Sequence, residues 1–142
     1  MLSEGRLDIE LGLVGDNWST RGSRKHGASP DRDMQLNIMN ARVVNLVAQE
    51  RKRWQLAGDQ LFLDMDLSKA NLPVGQQLAL GSAVIEVTSP PHLGCNKFVS
   101  RFGLDAMKFV NSEVGKELCL RGINARVVQS GVVRVGDIAR KI

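Results

Sequence analysis

The sequence predicts a mainly β, α+β fold: a closed or partly open β-barrel of about seven short strands with two or more peripheral helices. Three observations predict it. Apolar and polar residues alternate over short runs, the period of half-buried strands. Most of these runs are joined by tight turns, which favours antiparallel neighbours over the long crossovers of a parallel sheet. The chain also has 14 glycines but only two Trp, four Phe and no Tyr, a composition for many turns around a core of small aliphatic side chains.

The elements follow in order. Leu7, Ile9, Leu11 and Leu13 alternate with Asp8, Glu10 and Gly12 and read as a strand. A polar stretch from Gly15-Asp16 to Asp33 has no periodicity, and a loop of that length is usually functional or disordered. Met34, Leu36 and Ile38 give a second strand, and Asn40 is placed to cap a helix. Val43, Leu46, Val47 and Trp54 recur at helical spacing, with Gly58 as the stop. Leu61, Leu63 and Met65 mark a third strand. Leu78–Leu80 and Ala83–Val87 flank Gly81-Ser82, the sequence of a type II′ hairpin. Pro90-Pro91 should end that strand and open a loop to Asn96. Asp105 to Leu118 reads as one helix with Met107, Val110, Val114 and Leu118 on one side. Ile123–Val128 and Val132–Val135 read as a second hairpin around Ser130-Gly131, followed by a last strand from Ile138 to Ile142. The pentapeptide Asn-Ala-Arg-Val-Val occurs at Asn40 and again at Asn124, once in a predicted helix and once in a predicted strand.

A chain of 142 residues suits one domain, taken here as 1–142. No apolar run approaches the ~20 residues that span a bilayer. Glu4, Arg6, Asp8 and Glu10 exclude a signal-peptide core at the start. The expectation is a cytoplasmic protein with no membrane association. Two cysteines without a CxxC spacing argue against a disulfide framework or a zinc knuckle. A net charge of +4, from 19 basic and 15 acidic residues, favours an anionic ligand where charges converge. Nucleic acid is not an expected partner, since interleaved aromatic residues for base stacking are missing.

Cys95 is the most informative candidate for chemistry. It lies in Thr88-Ser89-Pro90-Pro91-His92-Leu93-Gly94-Cys95-Asn96-Lys97. Prolines fix the backbone entering the loop, and Gly94 gives conformational freedom and space beside the sulfur. Lys97 and a protonated His92 are placed to enrich the thiolate. A thiolate there could attack an electrophile, carry a persulfide or ligate a soft metal. The competing reading is a buried structural cysteine. Cys119, between Leu118 and Leu120, reads as core filler. Arg21, Arg24 and Lys25 form a basic loop suited either to gripping phosphate or simply to solvation. No GxGxxG, Walker, HExxH or GxSxG pattern is present.

Several fragments together resemble the MOSC family, the molybdenum-cofactor sulfurase C-terminal domain. They are Gly12-Leu13-Val14-Gly15-Asp16, Met34–Asn40, Gly58-Asp59-Gln60-Leu61, Leu72–Val87, the loop ending at Cys95, Arg121–Val127 and Val133–Asp137. The resemblance runs from about residue 12 to 139 and marks the chain as a small stand-alone member. It departs at Asp59-Gln60, where relatives carry Glu-Asn, and at Gly94, where they carry proline before the cysteine.

The resemblance implies a strand-rich, barrel-like fold in a family linked to pyridoxal-phosphate-dependent sulfurases. It implies a molybdenum cofactor (molybdopterin), transient or bound, and makes Cys95 a persulfide carrier or the metal ligand. Cys95, His92 and Lys97 become the reactive group. Arg21, Arg24, Lys25 and Arg101 become the cations for the cofactor phosphate, and Asp59 and Gln60 the groups that orient the pterin. The expected partners are a cysteine-desulfurase-type sulfur donor or a molybdoenzyme acceptor. The reaction classes are sulfur transfer and molybdenum-dependent redox chemistry. Two alternatives stand beside this: a non-catalytic module binding an anionic partner, and a metal-free thiol enzyme.

Overall fold

The computed structural model describes residues 1–23, 26, 27 and 29–142. Among these are nine strands, β1 (Glu4–Asp8), β2 (Gly12–Leu13), β3 (Leu36–Asn40), β4 (Leu61–Leu63), β5 (Gln77–Leu80), β6 (Ala83–Pro91), β7 (Ile123–Gln129), β8 (Gly131–Arg134) and β9 (Arg140–Lys141). Four α-helices accompany them, α1 (Ala41–Ala48), α2 (Asn96–Phe102), α3 (Leu104–Val110) and α4 (Glu113–Glu117), with 3-10 turns at Trp18–Thr20, Arg32–Met34 and Arg51–Ala57. The α+β class is the one expected; strands and helices are both more numerous than the sequence suggested, and the helices are shorter.

The chain divides into two compact units, one of Met1–Leu36, Val74–Pro90 and Asn124–Ile142, the other of Asn37–Pro73 and Pro91–Ile123. The first unit holds the antiparallel sheet β2-β1-β8 and four strands side by side in the order β7-β6-β5-β9. Its buried side chains include Leu7, Trp18, Leu36, Leu78, Leu80, Ile85 and Val127. The predicted strand through Leu13 breaks after Asp8. Asp8 Oδ1 accepts the N–H groups of Glu10 and Leu11 at 2.8 and 3.1 Å, a local turn that competes with the ladder and leaves Ile9 and Leu11 exposed. In the polar stretch that follows, buried Trp18 donates its indole N–H to the Asp31 carbonyl at 3.1 Å.

The β5–β6 hairpin forms as expected. Gly81 has φ +55° while Ser82 stays out of the left-handed region, as a type II′ turn requires. The tip is docked on β8: Ser82 N–H donates to the Val132 carbonyl at 3.1 Å, and Val132 N–H to Ser82 Oγ at 2.8 Å. A Cβ on Gly81 would lie 2.2 Å from the Val132 carbonyl oxygen, so only glycine fits. The predicted second hairpin is corrected. β7 lies beside β6, whereas β8 joins β1 in the other sheet, with Gly5 opposite Val133 and Leu7 opposite Gly131. The Pro90-Pro91 break is corrected too, since β6 runs through both prolines and Asn124 Nδ2 donates to the Pro90 carbonyl at 2.9 Å.

In the second unit β3 and β4 pair in parallel, Ile38 opposite Leu61 and Asn40 opposite Leu63. Asn40 turns β3 directly into α1, its Oδ1 accepting the Arg42 and Val43 N–H groups at 2.8 and 3.3 Å, the expected cap. The predicted helix through Trp54 is two elements. Gln49, at φ +66°, ends α1 in the left-handed region, and Arg51–Ala57 continues as a 3-10 turn stopped by Gly58 at φ +77°. Leu46 points outward and Val44 takes the buried place. The core here is Met39, Val43, Val44, Ala48, Trp54, Ala57, Phe98 and Val110. The single helix expected from Asp105 to Leu118 is α3 and α4, preceded by the unforeseen α2. Gly103 at φ +95° separates α2 from α3, and Ser112 caps α4 by accepting the Gly115 N–H at 2.9 Å. Val114 and Leu118 are exposed, while Gly115 packs so closely that a Cβ would meet the Phe109 carbonyl oxygen at 2.5 Å.

Candidate functional site

Cys95 is the N-cap of α2, with an extended backbone at φ −127° and ψ −177°, and it is exposed. β6 delivers the chain into the short loop His92–Cys95, and burial of Phe98 one turn into α2 fixes the helix beneath it. The thiol closes no capping hydrogen bond. The amide of Phe98 nevertheless acts on it as an oriented dipole and holds it below the usual thiol range; slight burial opposes this, and the Lys97 amide, the Arg121 guanidinium and the Lys97 ammonium reinforce it. A lowered pKa and exposure are the two properties that raise a thiol's nucleophilic reactivity at a given pH. Gly94 is not in the left-handed region, which corrects the expectation of an unusual dihedral there.

Arg121 comes from the segment after α4 and is buried. Its guanidinium donates to Asp59 Oδ2 at 2.8 Å and to the Ala57 carbonyl at 3.0 Å, and lies 5.2 Å from the centre of the Phe98 ring. The Asp59 side chain is fully buried, and its other oxygen is 2.9 Å from His92 Nε2. The row His92–Asp59–Arg121 thus ties the base of the cysteine loop to the end of the 3-10 turn. A buried pair of opposite charges offsets the cost of taking each charge out of water, and the Arg121 charge still reaches the Cys95 thiol. Gly122, at φ +135°, lets the backbone beside Arg121 pass close to β3: a Cβ there would meet the Ile38 carbonyl oxygen at 2.3 Å and His92 Cδ2 at 2.9 Å.

The other predicted site residues are spread out. Lys97 is exposed in the first turn of α2. Gln60 Oε1 accepts the Asn37 N–H at 2.7 Å, which ties β4 to β3. Arg101 donates to the Leu56 carbonyl at 3.0 Å. Arg21 is exposed in the first unit, just after the 3-10 turn at Trp18; Arg24 and Lys25 lie outside the described residues. Cys119 is only half-buried, at φ +51° after α4, which corrects its reading as core filler; burial pushes its thiol up, most of all over the opposing Lys69 charge. No group of three or more His, Cys, Asp or Glu among the described residues could hold a metal ion by itself. No helix among them is long and apolar enough to cross a membrane.

Residues 23–140 match the MOSC domain model. The chain belongs to the MOSC domain family. No curated protein sequence matches it. Among solved structures it is similar to YiiM from Escherichia coli, with a TM-score of 0.63 and 23% identity over 98% of this chain and 62% of that one. It is also similar to YiiM from Geobacillus stearothermophilus, with a TM-score of 0.60 and 17% identity over 99% and 73% of the two chains. YuaD from Bacillus subtilis gives a TM-score of 0.60 and 16% identity over 96% and 82%. The chain therefore spans about three fifths of Escherichia coli YiiM. These likenesses establish the MOSC-type fold.

Within this MOSC domain the residue that sequence reasoning left without a role is Arg121. It stood in the quoted Arg121–Val127 fragment, and the available signal was an arginine flanked by Leu120 and Gly122-Ile123, an apolar setting in which a charge needs a partner. The partner, Asp59, was singled out for a different task.

Proposed function

We propose that this MOSC domain is a sulfur carrier serving molybdenum-cofactor chemistry, with Cys95 as the sulfur acceptor. The single observation that carries the reading is an exposed thiol held below its ordinary range by amides and by the Arg121 and Lys97 charges. In the transfer, the Cys95 thiolate attacks the outer sulfur of a donor persulfide, as on a cysteine desulfurase. The donor's S–S bond breaks, its thiolate leaves with the electron pair, and Cys95 retains the sulfane sulfur and its proton as a persulfide. The exchange needs no external oxidant, because zero-valent sulfur moves between two thiols. Lys97 and Arg121 stabilise the anionic sulfur on both sides of the step, and the His92–Asp59 contact keeps the loop entry fixed.

The same thiolate fits a molybdenum cofactor. A metal already held by dithiolene sulfurs asks the protein for one soft anionic ligand, and Cys95 supplies one without a multidentate cluster. Arg101, in the same unit as Cys95, is the cation proposed for the cofactor phosphate, with donors not given to Leu56. Asp59 and Gln60 would serve the pterin through the loops they fix rather than as direct hydrogen-bonding groups. When bound, the cofactor supplies oxo- or sulfur-atom transfer chemistry.

The test is cyanolysable sulfur, with molybdenum and pterin content, on the parent protein and on Cys95→Ala after incubation with a cysteine desulfurase and cysteine. The expected result is thiocyanate release from the parent only. Equal labile sulfur and equal molybdenum in the two proteins would remove the basis of the proposal.

A further inference from the structure

One side-chain amide brackets the residue before the reactive thiol. Gly94 N–H donates to Asn111 Oδ1 at 2.8 Å, and Asn111 Nδ2 donates to the Gly94 carbonyl at 3.0 Å. These two bonds fix both peptide planes of Gly94, the second of which is the Gly94–Cys95 peptide. Asn111 is itself anchored at the end of α3, where its N–H donates to the Met107 carbonyl at 2.9 Å.

The glycine belongs to the same arrangement. A Cβ at position 94 would lie 3.2 Å from Val110 Cγ2 and 3.3 and 3.4 Å from the Asn111 amide oxygen and nitrogen. The missing side chain therefore serves the close approach of the amide, since the dihedral does not demand glycine. Proline at this position would have no N–H to give. Cys95 forms no side-chain cap of its own, and its carbonyl accepts the Val99 N–H at 3.1 Å, so α2 fixes the backbone on the far side of the residue. The Asn111 clamp fixes the near side, at the Gly94–Cys95 peptide.

We propose that Asn111 is a positioning residue: through Gly94 it holds Cys95 in its extended conformation at the start of α2 and so governs how readily the sulfur reacts. The proposal deepens the reading of Cys95 as sulfur acceptor and rests on it for its biological meaning. Loss of the clamp lets the loop rotate the thiol away from the Phe98 and Lys97 amides, and the thiolate fraction at neutral pH falls.

The experiment is site-resolved carbamidomethylation by mass spectrometry across pH 5 to 10, in the full chain, with Cys119 as the internal reference. Asn111→Ala is expected to slow Cys95 alkylation at neutral pH by about tenfold, the equivalent of about one pH unit in its midpoint, and to leave Cys119 unchanged. Gly94→Ala, which keeps both backbone groups but crowds the amide, is expected to fall between. A purely structural role would lower the melting temperature without moving the Cys95 pH profile. Superimposable profiles for parent and Asn111→Ala in folded protein overturn the proposal. Should Asn111→Ala fail to fold, Gly94→Ala carries the same comparison, and a profile matching the parent overturns it equally. Failure of sulfur loading in the parent would sink the carrier function but leave these profiles standing, so the two readings fail separately.

Discussion

Removing the charge of Asp59 while keeping its shape, as Asp59→Asn, leaves the Arg121 guanidinium buried without a counter-ion. The carboxylate is fully buried and the arginine side chain only 9% exposed, so water cannot replace the lost partner. Breaking a buried pair from one side costs about 3–5 kcal/mol. Arg121→Met incurs a similar loss and deprives the Ala57 carbonyl of its donor, about 1–3 kcal/mol more. The double variant has no orphaned charge. Its destabilisation should fall short of the sum of the singles by at least about 2 kcal/mol, the signature of a direct interaction. Urea denaturation of the four proteins at pH 7, followed by far-ultraviolet circular dichroism, measures the cycle. Additivity within about 0.5 kcal/mol would mean that the pair is solvent-screened and that the account of the loop base is wrong.

Three further outcomes are expected. Gln49→Gly removes a side chain from a left-handed position at the end of α1 and should raise stability by about 0.5–1 kcal/mol, visible as a higher melting temperature. Gly122→Ala places a methyl group against the Ile38 carbonyl oxygen and should cost at least about 2 kcal/mol; an unchanged denaturation midpoint would contradict the close approach. As pH rises from 6, Cys95 should be alkylated before Cys119, because the first thiol is lowered by amides and cations and the second raised by burial. Its reactivity should then fade as pH falls through its lowered value, and simultaneous modification of both thiols would count against the assignment.

What was legible in the sequence was local. The Asn40 cap, the Gly81-Ser82 turn, the Gly58 stop and the exposed cysteine loop each depend on a few adjacent residues. The repeated Asn-Ala-Arg-Val-Val shows the limit. At Asn40 it opens α1 and at Asn124 it lies in β7. Identical residues took two conformations because flanking apolar spacing, 3.6 in one place and 2 in the other, decides which face is buried. Illegible features depended on contacts distant in sequence. β8 left its neighbour β7 for β1, more than a hundred residues away. Asp59 was singled out as a site residue, but its partners Arg121 and His92 lie 62 and 33 positions distant, so its charge looked available when it was already spent. The break after Asp8 was local in origin yet masked by an alternation that continued through it.

The docked tip of the β5–β6 hairpin has a practical consequence. A two-residue reverse turn is ordinarily the first place to splice in a tag, a fluorophore site or a circular-permutation junction. Here Gly81 and Ser82 are wedged against Val132, with Ser82 exchanging hydrogen bonds with it in both directions and its carbonyl accepting from Gln129 Nε2 at 3.0 Å. An insertion there would pry β8 from its seat as surely as a cut in that strand. The same engagement should make the Ser82 and Val132 amides slow to exchange with deuterium, an unusual trait for the end of a hairpin.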